Sequence, residues 1–329
     1  MAPSIRGRTR RSPRGARGGA GRSGKPAFAE YRPNQGMDLS ARPWPYLMVP
    51  LGGYQRVYCC SMDCDVRELE FVVSPASRVH VQRRVDVTQR PATHMFIQEL
   101  WISGRSAGPA WLEVRRKTAP SYSAVLELSV KPRKVVKIQF KWVWDKSGRL
   151  DPRRPQSQAQ EIFKIASAIY APQTNIVLQY LGLSTAFLAD EEIGAVMRYS
   201  DATPPPRWDK WGVIAKYTEP DADFNVFFVR EVEYGRGSGD GVDGVTSGKV
   251  IFIEDRLTAK NKTDARTAAF VLAHELGHTL LSCSDADHKY QARERPRSHL
   301  MHRYSDYGGT RIPKDDVNTM NRGGWLLPP

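Results

Sequence analysis

The stretch "VLAHELGHTLLSCSDADH", residues 271–288, decides how the C-terminal half of this chain is read. Its first part, "HELGH" at 274–278, lies inside the apolar run "AAFVLAHELGHTLL". A helix over that run puts His274 and His278 one turn apart on one face. Both imidazoles can then reach one ion, and Zn–N distances of about 2.0–2.1 Å suit two such nitrogens. Glu275 follows the first histidine on the same surface, where it can hold a water beside the metal and take its proton. Gly277 has no side chain and lets a second segment approach the helix closely. The other faces of the helix are apolar, so the polar trio would be buried at a cost without a metal to satisfy it. Two incidental histidines on a core helix are the plainer alternative. The ligand-rich loop that follows weighs against it.

Upstream of this helix the sequence alternates between strand and helix patterns. "VVKIQFKWVWD" sets Val136, Ile138, Phe140, Trp142 and Trp144 on one face, with Lys137, Gln139 and Lys141 opposite. "SQAQEIFKIASAIY" spaces Ile162, Phe163, Ala166, Ile169 and Tyr170 as one helix face. "NIVLQYL", "FNVFFVREV" and "KVIFIED" read as strands, the last two separated by the Gly-rich "YGRGSGDGVDGVTSG". Residues 186–211 read as an insertion with one short helix and the breaker "PPP". The predicted active helix runs from about Asp264 to Leu281, which completes an α+β layout over 135–329.

Residues 38–131 read as β throughout, with "YLMVPL", "QRVYCC", "LEFVVS", "VHVQRRVDV", "MFIQELWIS", "AWLEVRR" and "AVLELSV" as strands. Short strands at this spacing predict a sandwich. "KPRK", 131–134, reads as a hinge between the two units. Residues 1–37 read as a disordered tail. Its first 26 residues carry seven Arg and one Lys without an acid, which leaves +6 of the net +14 to the rest of the chain. Such a tail cannot bury a core, and an anionic partner is the sharper reading of it. No aromatic residue interleaves its arginines, which disfavours base stacking. No apolar run approaches the ~20 residues of a membrane span. No apolar segment follows the basic start, so the expectation is either a cytoplasmic protein or one exported without a signal peptide. Cys59, Cys60 and Cys64 cluster without a nearby histidine, a poor zinc set whose disulfide state is not readable.

With these elements in place, the C-terminal part resembles a zincin metallopeptidase, and among zincins the metzincins. That family continues the motif as H-E-x-x-H-x-x-G-x-x-H and carries a Met-turn beneath the metal. "SHLMHR" puts Met301 where such a turn is expected. The resemblance also implies a substrate-pairing strand before the active helix, for which Val250, Ile251, Phe252 and Ile253 are the candidates. The sequence departs from the pattern after the second histidine. Leu281 stands at the family's helix-ending glycine, and Ser284 at its third ligand. His288, four residues on, is the expected third ligand through a longer loop. Asp285 or Asp287 as ligand, an incomplete site, or a more distant Asp315 or Asp316 remain alternatives. Glu294, the ligand a rival zincin class would use, precedes a Pro in a basic stretch, a poor setting for a helix.

Tyr304, three residues after Met301, is a candidate transition-state donor alongside Glu275. His299 and His302 either line the pocket or are solvated. Asp240 and Asp243 in the Gly-rich loop could take Ca2+, although a cleft-edge loop is the plainer reading. His80 and His94 belong to the β unit. The segment "ISGRSAGPAWLEVRR" is similar to the end of bacterial Ig-like repeats. The expected activity is thus zinc-dependent hydrolysis of a protein or peptide substrate. The alternatives are an inactive zincin-like binding or adhesion protein, or a secreted metallopeptidase toxin or effector, which this domain order also resembles.

Overall fold

The structure is a computed structural model that describes residues 26–61, 65–84, 88–90, 95–146, 148, 151–152, 154–188, 197–200, 207–208, 216–234, 244–255, 265–283, 297–302 and 309–322. Among the described residues, the N-terminal unit holds ten strands: β1 (Ala27–Glu30), β2 (Met37–Asp38), β3 (Tyr46–Pro50), β4 (Tyr54–Ser61), β5 (Leu69–Ser74), β6 (Val79–Arg83), β7 (Thr88–Arg90), β8 (Met95–Gly104), β9 (Gly108–Arg116) and β10 (Ala119–Lys131). They form two sheets, ordered β1-β4-β8-β6 with β7 also on β8, and β2-β3-β10-β9-β5. Alternate residues of each sheet enter one shared core, including Val57, Leu100 and Ile102 from the first and Leu47, Leu112 and Leu128 from the second. β4 shows the pattern most plainly, alternating buried and half-buried from Gln55 onward after an exposed Tyr54.

Two expectations shift here. The tail expected over 1–37 ends earlier, because β1 pairs with β4 from Ala27 onward, with Phe28 opposite Cys59. Phe28 is the chain's first aromatic residue, and its burial in the core supplies the apolar anchor the arginine-rich stretch lacks. "VHVQRRVDV", 79–87, reads as one strand; β6 takes up its first five residues, Val79–Arg83, and β7 begins only after it, at Thr88.

The C-terminal unit contains β11 (Lys134–Asp145), α1 (Ala159–Thr174), β12 (Ile176–Leu188), β13 (Met197–Ser200), β14 (Arg207–Trp208), β15 (Phe224–Val229), β16 (Val232–Tyr234), β17 (Gly244–Ser247), β18 (Val250–Glu254), α2 (Ala265–Leu281) and α3 (Lys314–Arg322). Its main sheet has the order β12-β11-β15-β18-β17. The first four strands are parallel and β17 runs antiparallel at the edge. β13, β14 and β16 form a small separate sheet, so "FNVFFVREV" is two strands broken at Arg230. Val136, Ile138, Phe140 and Trp142 share one core with Ile162, Ala166 and Ile169 of α1 and Leu272 and Leu276 of α2. The opposite face is covered as well: Gln139 and Lys141 are only 7% and 8% exposed. Phe227 and Phe252 pack there with ring centroids 5.4 Å apart. Burial on both faces explains why β15 and β18 read as near-continuous apolar runs, interrupted only by Asn225 and ended by Glu254. Among the described residues, no helix is long and apolar enough to cross a membrane.

The two units are fused through β3. Leu47 and Val49 point into the N-terminal core, while Tyr46 and Met48 belong to the core of the C-terminal unit. Full burial of two such side chains contributes about 1.5–3 kcal/mol each. Polar contacts surround this seam. Gln55 Nε2 donates to Pro172 O at 2.9 Å, and Asn175 Nδ2 donates to Lys131 O at 2.8 Å. The expected hinge at 131–134 is therefore a two-residue connection, Pro132–Arg133, between paired strands, pinned by contacts from both units.

Candidate metal centre

The site is built on α2, whose residues are buried almost all round. His274 and His278 sit one turn apart, their rings nearly perpendicular at 4.8 Å between centroids. Each offers one donor atom, and these lie within 4.8 Å of each other and of a Glu275 carboxylate oxygen. This is the group among the described residues that could hold a metal ion.

Both imidazoles are oriented through their other nitrogen. His274 Nδ1 lies 2.9 Å from Leu300 O, and His278 Nδ1 lies 3.3 Å from Cys283 O. A carbonyl only accepts, so each Nδ1 carries a proton, and Nε2 is the nitrogen left to ligate a metal. That is the tautomer and the outer hydrogen bond a metal-binding histidine needs. The donor set therefore fits a cation that takes neutral imidazole nitrogen.

The carbonyl that holds His278 is produced by the way the helix ends. Ser282 adopts a left-handed conformation, φ 52°. Its N–H donates to Thr279 O at 3.0 Å, and Cys283 N–H donates to His278 O at 2.9 Å. This double bond pattern is a Schellman cap. The helix thus runs one residue past the position where the resembled family has its glycine, and Ser282 makes the reversal. The Cys283 thiol follows, 3.7 Å from His278 Nδ1.

Two further segments close around the trio. A Cβ added to Gly277 would overlap Met301 Sδ and stand 3.5 Å from Tyr170 Oη. Met301 therefore lies directly against the helix at the glycine of "HELGH". Tyr170 on α1 donates its hydroxyl to Ala273 O. Burial, then Cys283, Asp316 and Glu275 nearby, push that phenol well above its ordinary range, so it remains a neutral donor. On the sheet side, Thr246 of β17 places its hydroxyl 2.7 Å from Glu275 Oε2 and 3.0 Å from Glu275 O. Gly244 permits this approach: a Cβ there would come within 2.6 Å of Val271 and 3.0 Å of Glu275 Cγ.

The substrate-strand expectation needs correction. Val250, Ile251, Phe252 and Ile253 form β18, which pairs with β15 on one side and β17 on the other. Its backbone groups are committed, and the sheet edge is Gly244–Ser247. The cause is a tight reversal at Gly248, φ 58°, which folds β17 back onto β18 with Ser247 opposite Val250. Thr246, Leu300 O and Cys283 O were missed by sequence reasoning. The last two are main-chain atoms, whose role no residue type announces.

Of the other candidates, Asp315 is exposed on the first turn of α3, while Asp316 is buried there; neither belongs to the metal-binding group. His302 is buried outside that group, and His299 bridges Arg311. His80 is on β6 of the N-terminal unit. His288, Asp285, Asp287, Glu294, Tyr304, Asp240, Asp243, His94 and Cys64 lie outside the described residues.

No family model matches the chain, and no curated protein matches it. Among solved structures, "Solution Structure of Amebosin" has a TM-score of 0.20 and 16% identity, covering 26% of this chain and 88% of that one. "Tandem Ig repeats of Dlar" has a TM-score of 0.17 and 11% identity, covering 36% of this chain and 60% of that one. Likeness at this level carries no inference about fold or site.

Proposed function

We propose that this chain is a zinc-dependent endopeptidase of the zincin type, metzincin-like, with an Ig-like N-terminal unit. The observation that supports it best is the pair of carbonyl-tethered histidines whose donor atoms lie beside a carboxylate. His274 and His278 would hold the metal, with His288 as the third protein ligand and one position left open. Zinc, when bound there, supplies Lewis-acid polarisation of the scissile carbonyl and lowers the pKa of a coordinated water towards about 7.

The protein groups do the rest. Glu275 accepts the proton of the attacking water as the C–O bond forms. It returns that proton to the leaving nitrogen as the C–N bond breaks. Thr246 donates to Oε2 of Glu275 and would orient the carboxylate for that role. The edge strand Gly244–Ser247 lies beside the same carboxylate and is suited to align an extended substrate by strand addition.

Glu275→Gln tests this directly. The variant should retain zinc at the wild-type stoichiometry and lose hydrolysis of an unstructured protein such as casein by at least about 100-fold. Normal cleavage by the variant would overturn the mechanism. Zinc bound by the wild type with no hydrolysis would favour the inactive binding protein.

A further inference from the structure

Asp38 stands at the end of β2 in the N-terminal unit, 4% exposed, yet it faces the C-terminal unit. Its Oδ2 accepts the backbone N–H of Lys314, the first residue of α3, at 3.1 Å. Its Oδ1 lies 3.3 Å from Arg311 Nη2 and also accepts from Ser40 N at 2.9 Å and Ser40 Oγ at 2.6 Å. One unit therefore caps a helix of the other. Burial acts to raise this carboxyl's pKa, but the Ser40 and Lys314 bonds and the Arg311 charge outweigh it and hold it low.

The segment that Asp38 grips, 309–314, is a strap beneath the metal centre. Arg311 N–H donates to Ser298 O at 2.9 Å, and Leu300 N–H donates to Arg311 O at 2.8 Å. Gly309 lies so close to His299 O that an added Cβ would overlap it. Two other side chains fasten the strap. Gln173 of α1 donates to Thr310 O at 2.8 Å and accepts from Ile312 N at 3.0 Å. Asn34 donates to Thr310 Oγ1 at 2.8 Å. The turn so fixed carries Leu300 O, the acceptor for His274 Nδ1, and Met301, which packs at Gly277. A continuous chain of bonds thus runs from Asp38 through Arg311 and Leu300 to His274.

We infer that Asp38 is a positioning residue of the metal centre: the N-terminal unit, through Asp38, holds the 309–314 strap and so sets the tautomer and orientation of His274. This rests on the reading of His274 and His278 as metal ligands. The N-terminal unit is accordingly part of the site's framework, and not a spacer.

The test uses the full chain with 15N-labelled histidine, free of zinc, and follows the His274 tautomer by NMR. Wild type should show the Nδ1–H form in large excess. Asp38→Ala should bring the Nε2–H form, which free imidazole prefers, to comparable population. The same variant should weaken zinc binding about tenfold by chelator competition, the scale of losing an outer partner of a metal ligand. Arg311→Met, a milder change that keeps the strap's backbone bonds, should act in the same direction and covers the case in which Asp38→Ala does not fold. Gln55→Ala removes a contact between the units that touches none of residues 309–314, and serves as control. It should lower thermal stability while leaving the tautomer and zinc affinity within twofold of wild type. An unchanged His274 tautomer in both strap variants overturns the inference, as does an equal shift in Gln55→Ala. A shifted tautomer in a chain that binds no zinc supports the positioning role and sinks the metal reading instead.

Discussion

Replacing Gly277 with alanine should be unfavourable for a reason outside the helix, and the size of the effect can be worked out. Within the helix alone, Gly→Ala is favourable by about 1 kcal/mol. The added methyl, however, falls inside van der Waals contact with Met301 Sδ, with Met301 Cε at 3.4 Å and Tyr170 Oη at 3.5 Å closing the other directions. Overpacking a buried site costs about 1–3 kcal/mol, and a flexible methionine pressed inside contact distance places the cost at about 1.5–2 kcal/mol. The two terms leave a net loss of about 0.5–1 kcal/mol in the wild-type background. Met301→Ala by itself removes a buried side chain and should cost about 2–5 kcal/mol. In that background Gly277→Ala meets no obstacle and should stabilise by about 1 kcal/mol. The double-mutant cycle therefore carries a coupling of about 1.5–2 kcal/mol, well above the ~0.5 kcal/mol scatter of independent sites. Urea unfolding of the four zinc-free proteins measures it. A coupling below about 0.5 kcal/mol, or a stabilised Gly277→Ala single variant, would show that Met301 does not lie beneath the helix.

Thr246→Val removes the hydroxyl on Glu275 Oε2 while keeping the side chain's shape; zinc content should hold and turnover fall about tenfold, or ~1.4 kcal/mol. Unchanged turnover would remove Thr246 from the site. Ser282→Gly relieves a left-handed serine, a gain of about 1–2 kcal/mol offset by about 0.4–1 from the looser unfolded chain. A net stabilisation of about 0.5–1 kcal/mol is expected in urea melts, and a loss would mean the helix ends elsewhere. The depressed pKa of Asp38 makes a pH prediction with a definite sign. A carboxylate held below its unfolded value, about 3.9, adds stability that is present above that pH and lost as pH falls through the folded value. The stability gap between wild type and Asp38→Asn should thus be full at pH 6 and shrink below about pH 4. A gap that stays constant down to pH 2 would show that the charge is not what matters.

Much of this architecture could be read from residue patterns, because strands and helices leave a periodic trace. β11, β12 and α1 follow from their alternation and helical spacing, and α2 from the apolar run around "HELGH". β17 was hidden because "GVTS" is short and lacks a clear apolar face, so it merged with the Gly-rich loop before it. That omission is why β18 passed for the sheet edge. "YLMVP" declared a strand, but an unbroken apolar run does not say what lies on each side, and so the double role of β3 was out of view. The fixed Nδ1 positions depend on carbonyls of Leu300 and Cys283, which every residue possesses. Asp38 looked like any turn aspartate, and its partners at 311 and 314 lie some 270 positions away.

The strand shared by both cores has a consequence for how the chain comes off the ribosome. β3 and its neighbours are synthesised first and can pair among themselves, but the face bearing Tyr46 and Met48 finds most of its apolar cover in residues that follow Lys134. At about 5–20 residues per second, the ~190 residues out to the end of α3 need about 10–40 s. During that interval the nascent first half displays an apolar strip to whatever lies near the exit tunnel. A chain cut between Lys131 and Lys134 would display it permanently. Here the seam between the two halves is a poor place for recombination to graft either one onto a new neighbour.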